Sequence, residues 1–189
     1  TGLTNVDVRR LCWGVAAGMA ARHPMTGVGA GCFGVAAEAE LPDGLRQVSA
    51  SRGHIYHFAY NDFLQIGAES GLVALGVFVA LLFVVFSGAR EGLAWGNRAG
   101  RPVGAAAAAG VAAALAALLT QALVDFPLHL PTHLTLFWVD LGLLAALTVS
   151  GEARGGNEQR GRTTRVAAAV VAVLVALALG ATAIRGVVA

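Results

Sequence analysis

The chain has 189 residues, 57% of them hydrophobic and 13% charged, values unusual for a soluble domain. All 13 basic residues are arginine, and a formal net charge of +2, with no arginine stripe interleaved with aromatics, argues against nucleic acid as a partner. The chain opens without a methionine or a signal peptide and reads as the C-terminal part of a longer membrane protein, a fragment expected to be inactive alone.

Four apolar segments are long enough to cross a bilayer, which takes about 20 helical residues. They are Leu64–Ser87, Val103–Val124, Thr132–Val149 and Val166–Ile184, and none carries the polar stripe of a soluble core helix. The expected fold is therefore all-α, a polytopic transmembrane helix bundle with an external helical and loop region. Residues 1–63 form that region, residues 64–149 hold three crossings, residues 150–165 make a linker and residues 166–189 the last crossing. Arginine sets the orientation. Arg90, Arg98 and Arg101 follow the first segment, Arg154, Arg160, Arg162 and Arg165 precede the last, and Asp125–Pro131 has none. The positive-inside rule puts both arginine-bearing loops in the cytoplasm and residues 1–63, with Asp125–Pro131, outside. In a bacterium that is the periplasmic face of the inner membrane.

In chain order, residues 1–23 suit an amphipathic helix with Arg9 and Trp13 as an i, i+4 pair at headgroup level. Five arginines (9, 10, 22, 46 and 52) lie in the outer region, where an arginine fork can hold a phosphate bidentately. Gly29-Ala-Gly31-Cys-Phe-Gly34 matches a dinucleotide fingerprint, but no buried strand precedes it. Its glycines are read instead as a tight turn or a close approach to a neighbour. Residues 35–56, with Pro42, Gly44 and Gly53, read as an external loop with little regular structure. Cys12 and Cys32 share an oxidising side, so either a disulfide or packing as small apolar residues is open. His54 and His57 are three apart, but without further ligands at metal spacing no metal or other cofactor is expected.

The stretch His54–Leu75 organises the rest. It carries His57, Tyr60, Asn61 and Asp62 to a membrane edge and runs on without a break into the first apolar segment. Asn61 and Asp62 suit a helix start, and Asp62, Gln65 and Glu69 share one helical face. If Tyr60 begins the helical turn, His57 folds back to that face. The small residues of Val103–Val124 fit a helix buried in a bundle whose other members are partly missing from these residues. Asp125, His129 and His133 offer polar groups to the compartment that His57 faces, and Asp140 lies deep enough in the third segment to need a partner or cavity.

Three groups of residues together resemble the C-terminal domain of the O-antigen ligase and polymerase superfamily (the Wzy-type domain). They are Arg9-x-x-x-Trp13, then Pro24-x-x-Gly27-x-Gly29-x-Gly31-x-Phe33, then His57 with Asn61-Asp62-x-Leu64-Gln65, Glu69 and Gly71-Leu72. Asp125-x-Pro127, Phe137-Trp138 and Gly142-Leu143 fit the same tail. The resemblance covers residues 5–149 and implies a GT-C-type, metal-independent inverting glycosyltransferase. The donor would be a glycan on undecaprenyl pyrophosphate, and the acceptor a hydroxyl of a glycan, of lipid A-core or of a protein. By the same resemblance Arg9 would hold the pyrophosphate. Arg10, Arg52, Asp62, Gln65, Glu69 and Asp125 are further candidates for binding substrate, with His57, Tyr60 and Asn61 as catalytic candidates. The family's histidine stands immediately before the asparagine, where this chain has Tyr60. A neutral histidine suits a base near pH 7 and a phenol does not, which favours His57. Transport of a small anion, as proposed for bicarbonate-transporter-like relatives, is the rival function. Discontinuous helices would mark it, and the sequence displays none.

Overall fold

A computed structural model describes residues 3–52, 56–98 and 102–152. The last expected crossing, Val166–Ile184, the linker before it and the arginines that orient them lie outside the described residues. Within them the chain is all-helical: α1 (Asn5–Arg22), α2 (Phe33–Glu40), α3 (Asp43–Arg52), α4 (Asp62–Arg98), α5 (Pro102–Ala122) and α6 (Pro131–Glu152), with a single 3-10 turn at Pro127–His129. They divide into two compact units. One comprises the chain up to Gly76 together with Gln121–His129, and the other Val77–Thr120 and the chain from Leu130.

The first unit contains the outer region. Thr4 caps α1 in a reciprocal capping box: its hydroxyl accepts from Asp7 N and its backbone N–H donates to the Asp7 carboxylate at 3.0 Å. The Thr4 hydroxyl donating to the Asp7 carboxylate at 2.6 Å, and after it the Thr4 backbone N–H, hold the Asp7 carboxyl below its ordinary range. The inner face of α1 buries Val15, Ala16 and Met19 against Phe33, Ala37, Ala59 and Ala68, while Cys12 packs with Leu41, Leu45 and Tyr56. The helix is thus a core element of this unit, where its sequence suggested one lying at headgroup level. Both cysteines are free thiols.

Residues 35–56 are more ordered than their Pro, Gly and Ser content suggests, because α2 and α3 occupy most of the stretch. Phe33, Ala37, Leu41 and Leu45 recur every fourth residue and are all buried, so one apolar face persists across the Leu41–Pro42 corner. Pro42 and Gly44 therefore mark a junction between two helices. An Arg22–Glu40 ion pair links the end of α1 to the end of α2.

In the second unit, Pro102 and Pro131 occupy the first position of α5 and α6, where a missing N–H costs nothing. Phe78 meets Phe137 with ring centroids 5.9 Å apart. Two helical stretches, Asp62–Arg90 and Val103–Ala122, are long and apolar enough to cross a membrane, and Pro131–Leu147 is a shorter apolar helix. In the most apolar 18 residues of each, only 33% and 17% are buried, whereas a soluble core helix would be mostly buried.

The first apolar segment, expected to run without a break, is interrupted. At Gly71 the backbone takes φ 85° and ψ 167°, so α4 is two helical pieces, 62–70 and 72–98, rather than one rod. The hydropathy of residues 64–87 hid this break, because apolar content is the same on both sides of it and glycine is common in membrane helices.

Candidate functional site

The i, i+4 spacing of Arg9 and Trp13 places both side chains on one edge of α1, and both reach Tyr60. Trp13 Nε1 donates to the Tyr60 carbonyl at 3.0 Å, and the Arg9 guanidinium lies 5.3 Å from the centre of the Tyr60 ring. A cation over an aromatic face gains from the ring's quadrupole. Tyr60 itself has φ 55°, a left-handed conformation that a bulky residue adopts at a cost. The Trp13 bond and the Arg9 contact hold it there. Burial pushes the Tyr60 phenol above its ordinary range, with Cys12 and Tyr56 adding to the rise, Arg9 opposing it and Asp125 adding again. A phenol so shifted is a still poorer base at neutral pH.

Beyond Tyr60 the chain turns into α4. Asn61 caps it, its Oδ1 accepting from Leu64 N at 2.9 Å, while its Nδ2 donates to the Leu123 carbonyl at 2.8 Å. Asp62, fully buried, follows in the first turn, where the helix dipole favours its charge. Its two oxygens are both engaged by the 3-10 turn: Leu128 N donates to Oδ2 at 2.8 Å, and His129 Nδ1 stands 2.5 Å from Oδ1. An aromatic row runs from Tyr60, beside Arg9, to His129 of this pair. Tyr60 meets Phe126 edge to face, Phe126 stacks on Phe58 at 4.2 Å, and Phe58 meets the His129 ring edge at 5.8 Å.

The expected shared face of Asp62, Gln65 and Glu69 is present, and all three are buried. Gln65 accepts from Ala59 N and donates to Glu69 Oε1 at 3.1 Å. Glu69 then receives the glycine loop, with Gly31 N on Oε2 at 2.9 Å and Phe33 N on Oε1 at 3.3 Å. The loop backbone also bonds directly to α4 at its break: Val28 N to the Ala68 carbonyl, Gly29 N to that of Glu69, and Leu72 N to that of Pro24. This is the close approach expected of the glycines, and Gly27 shows its tightness. A Cβ at Gly27 would lie 2.2 Å from the Glu69 carbonyl carbon.

Other expected residues lie apart from this network. His57 sits in a segment without regular structure, so the fold-back onto the helix face does not occur: α4 starts at Asp62, after the left-handed Tyr60. Its ring is exposed, packs against Gly34 and lies 6.5 Å from Phe58, with no hydrogen bond to a described residue. Arg10 is exposed on α1, and the side chain of Arg52 lies outside the described residues. Asp125, by contrast, is near enough to Tyr60 to raise its phenol, and it accepts from Phe126 N at 3.0 Å.

The residue underrated from sequence is His129. The spacing Asp125-x-Pro127-x-His129 was visible, but its engagement with Asp62 spans 67 positions, and no local periodicity reports a pairing that distant. Compared with known protein families, with curated proteins and with solved structures, the chain shows no match.

Proposed function

We propose that this protein is a multi-pass membrane glycosyltransferase of the O-antigen ligase and polymerase type. It would transfer a glycan from undecaprenyl pyrophosphate to an acceptor hydroxyl at the periplasmic face of the bacterial inner membrane, by inversion and without a metal. One observation carries the reading: three separate motif segments converge on a fourth, the start of α4. Arg9 and Trp13 grip Tyr60, the glycine loop seats on Glu69 and the Gly71 break, and Leu128 and His129 close on Asp62. Arg9 supplies a planar cation suited to pyrophosphate oxygens, and a leaving group whose charge is offset needs little further assistance. The test is transfer by the purified full-length protein from an undecaprenyl-pyrophosphate glycan to an acceptor glycan or lipid. Arg9→Ala should abolish it, and a parent protein without transfer to any glycan, lipid A-core or protein acceptor refutes the reading.

A second reading has one observation in its favour. The break at Gly71 makes α4 discontinuous, and broken membrane helices form the ion and substrate sites of many transporters. Here, however, the freed backbone groups are taken by the loop: Leu72 N by the Pro24 carbonyl, and the Glu69 and Ala68 carbonyls by Gly29 and Val28 N–H. The break thus serves as a seat for protein, which leaves transport the weaker alternative. Flux of bicarbonate into proteoliposomes, abolished by Gly71→Ala, would reverse that order.

A further inference from the structure

We propose that His129, oriented by Asp62, is the base that takes the proton from the acceptor hydroxyl, an assignment that rests on the transferase reading above. Asp62 is fully buried and its Oδ1 faces His129 Nδ1 at 2.5 Å. With the carboxylate as acceptor, Nδ1 carries the hydrogen and Nε2 is left with its lone pair free. The His129 side chain is 23% exposed, so the ring is anchored on one side and open on another. Phe58 lies edge-on beside it at 5.8 Å. An oriented imidazole with a buried carboxylate behind it is the arrangement general-base catalysis requires.

The alternatives are less well placed. Tyr60 holds the position that resembles the family's histidine, but its phenol is pushed further from neutral pH by burial. His57 has no orienting group among the described residues and an exposed ring. A purely structural role for the pair, tying the 3-10 turn to α4, is already filled by Leu128 N–H on Asp62 Oδ2 at 2.8 Å.

In the transfer step, the acceptor oxygen forms a bond to the anomeric carbon as the bond from that carbon to the pyrophosphate oxygen breaks, the electron pair leaving with undecaprenyl pyrophosphate. The hydroxyl proton passes to His129 Nε2, the imidazolium rests against Asp62, and the proton is then lost to water. Arg9 takes no part in proton transfer and offsets the leaving-group charge.

His129→Asn separates chemistry from architecture. The asparagine amide reaches the place of Nδ1 and can still donate to Asp62, whereas Nε2 is gone. In the full-length protein we expect normal folding and a fall in transfer of about 10²-fold or more, the scale of a lost general base. Arg46→Lys, at a residue that donates to the Leu41 carbonyl away from the pair, should change the rate by less than about threefold, well below that scale. Asp62→Asn, a positioning change that still accepts from Leu128, should lower kcat while leaving KM in place. Imidazole gives a second measurement: added to His129→Gly it should restore transfer by about tenfold, as a diffusible base does. Parent-level transfer by His129→Asn, or no restoration by imidazole, overturns the assignment while leaving the transferase reading intact. A parent protein without transfer refutes both.

Discussion

Gly71→Ala is the sharpest perturbation of the seat between loop and helix. At φ 85° and ψ 167° the residue occupies a region open essentially to glycine alone, so any side chain carries strain of about 1–3 kcal/mol. A Cβ there would also stand 2.7 Å from the Met25 carbonyl carbon and oxygen and 2.9 Å from the Pro24 oxygen, against 3.4–4 Å for ordinary contact. Those neighbours are backbone and cannot rotate away. The loop must withdraw, which stretches the 2.7 Å bond from Leu72 N to the Pro24 carbonyl, worth about 1 kcal/mol. Together these terms give a destabilisation of about 2–4 kcal/mol. Gly76 lies in the same helix, and a methyl added there would have nothing within 4 Å, so Gly76→Ala is the internal control. It should be neutral or stabilise by up to about 1 kcal/mol. The measurement is unfolding by SDS titration in mixed micelles, followed by tryptophan fluorescence. If the two variants agree to within about 0.5 kcal/mol, the seat does not exist in the form described.

Glu69→Gln should cost about 1.5–3 kcal/mol in the same titration, because an amide cannot accept both the Gly31 and the Phe33 N–H as the carboxylate does; unchanged stability would remove Glu69 as the anchor. Arg9→Lys should lose most transfer activity, since an ammonium makes no bidentate phosphate contact, whereas Arg46→Lys should be mild because the Arg46 guanidinium donates to the Leu41 carbonyl, a bond an ammonium can also make; equal losses would deprive Arg9 of a special role. Cys32, exposed, should react with maleimide in the folded protein, and Cys12, buried, only after unfolding. Burial raises the Cys12 thiol from 9.0 to about 11, so its neutral form stabilises the fold fully below pH 9.0 and progressively less as pH rises towards 11; a pH-independent stability across that window would contradict its burial. In a cysteine-free background, cysteines at positions 57 and 125 should be labelled by an impermeant reagent from outside intact cells and one at position 98 should not, with labelling at 98 overturning the orientation.

Much of the local architecture was legible in the sequence because it rests on short-range chemistry. Apolar runs announce helices that could cross a membrane, Asn61 and Asp62 announce a helix start, and i, i+3 and i+7 spacing aligns Asp62, Gln65 and Glu69 whatever packs against them. The Arg9–Trp13 spacing likewise fixed a shared helical edge. Tertiary structure decided what those groups touch. Gly71 reads from sequence as one more glycine in an apolar run, and only the glycine loop docking from about 40 residues earlier, with backbone N–H and carbonyl partners for both sides of the break, makes it a discontinuity. The face of α2 and α3 was obscured by Pro42 and Gly44, since a buried stripe crossing a corner belongs to neither helix alone. His129 gained its orienting carboxylate from the far side of an entire helical pair. Periodicity encodes which residues share a face, but which two faces meet depends on the free energy of the whole packed unit, and the candidate site was settled there.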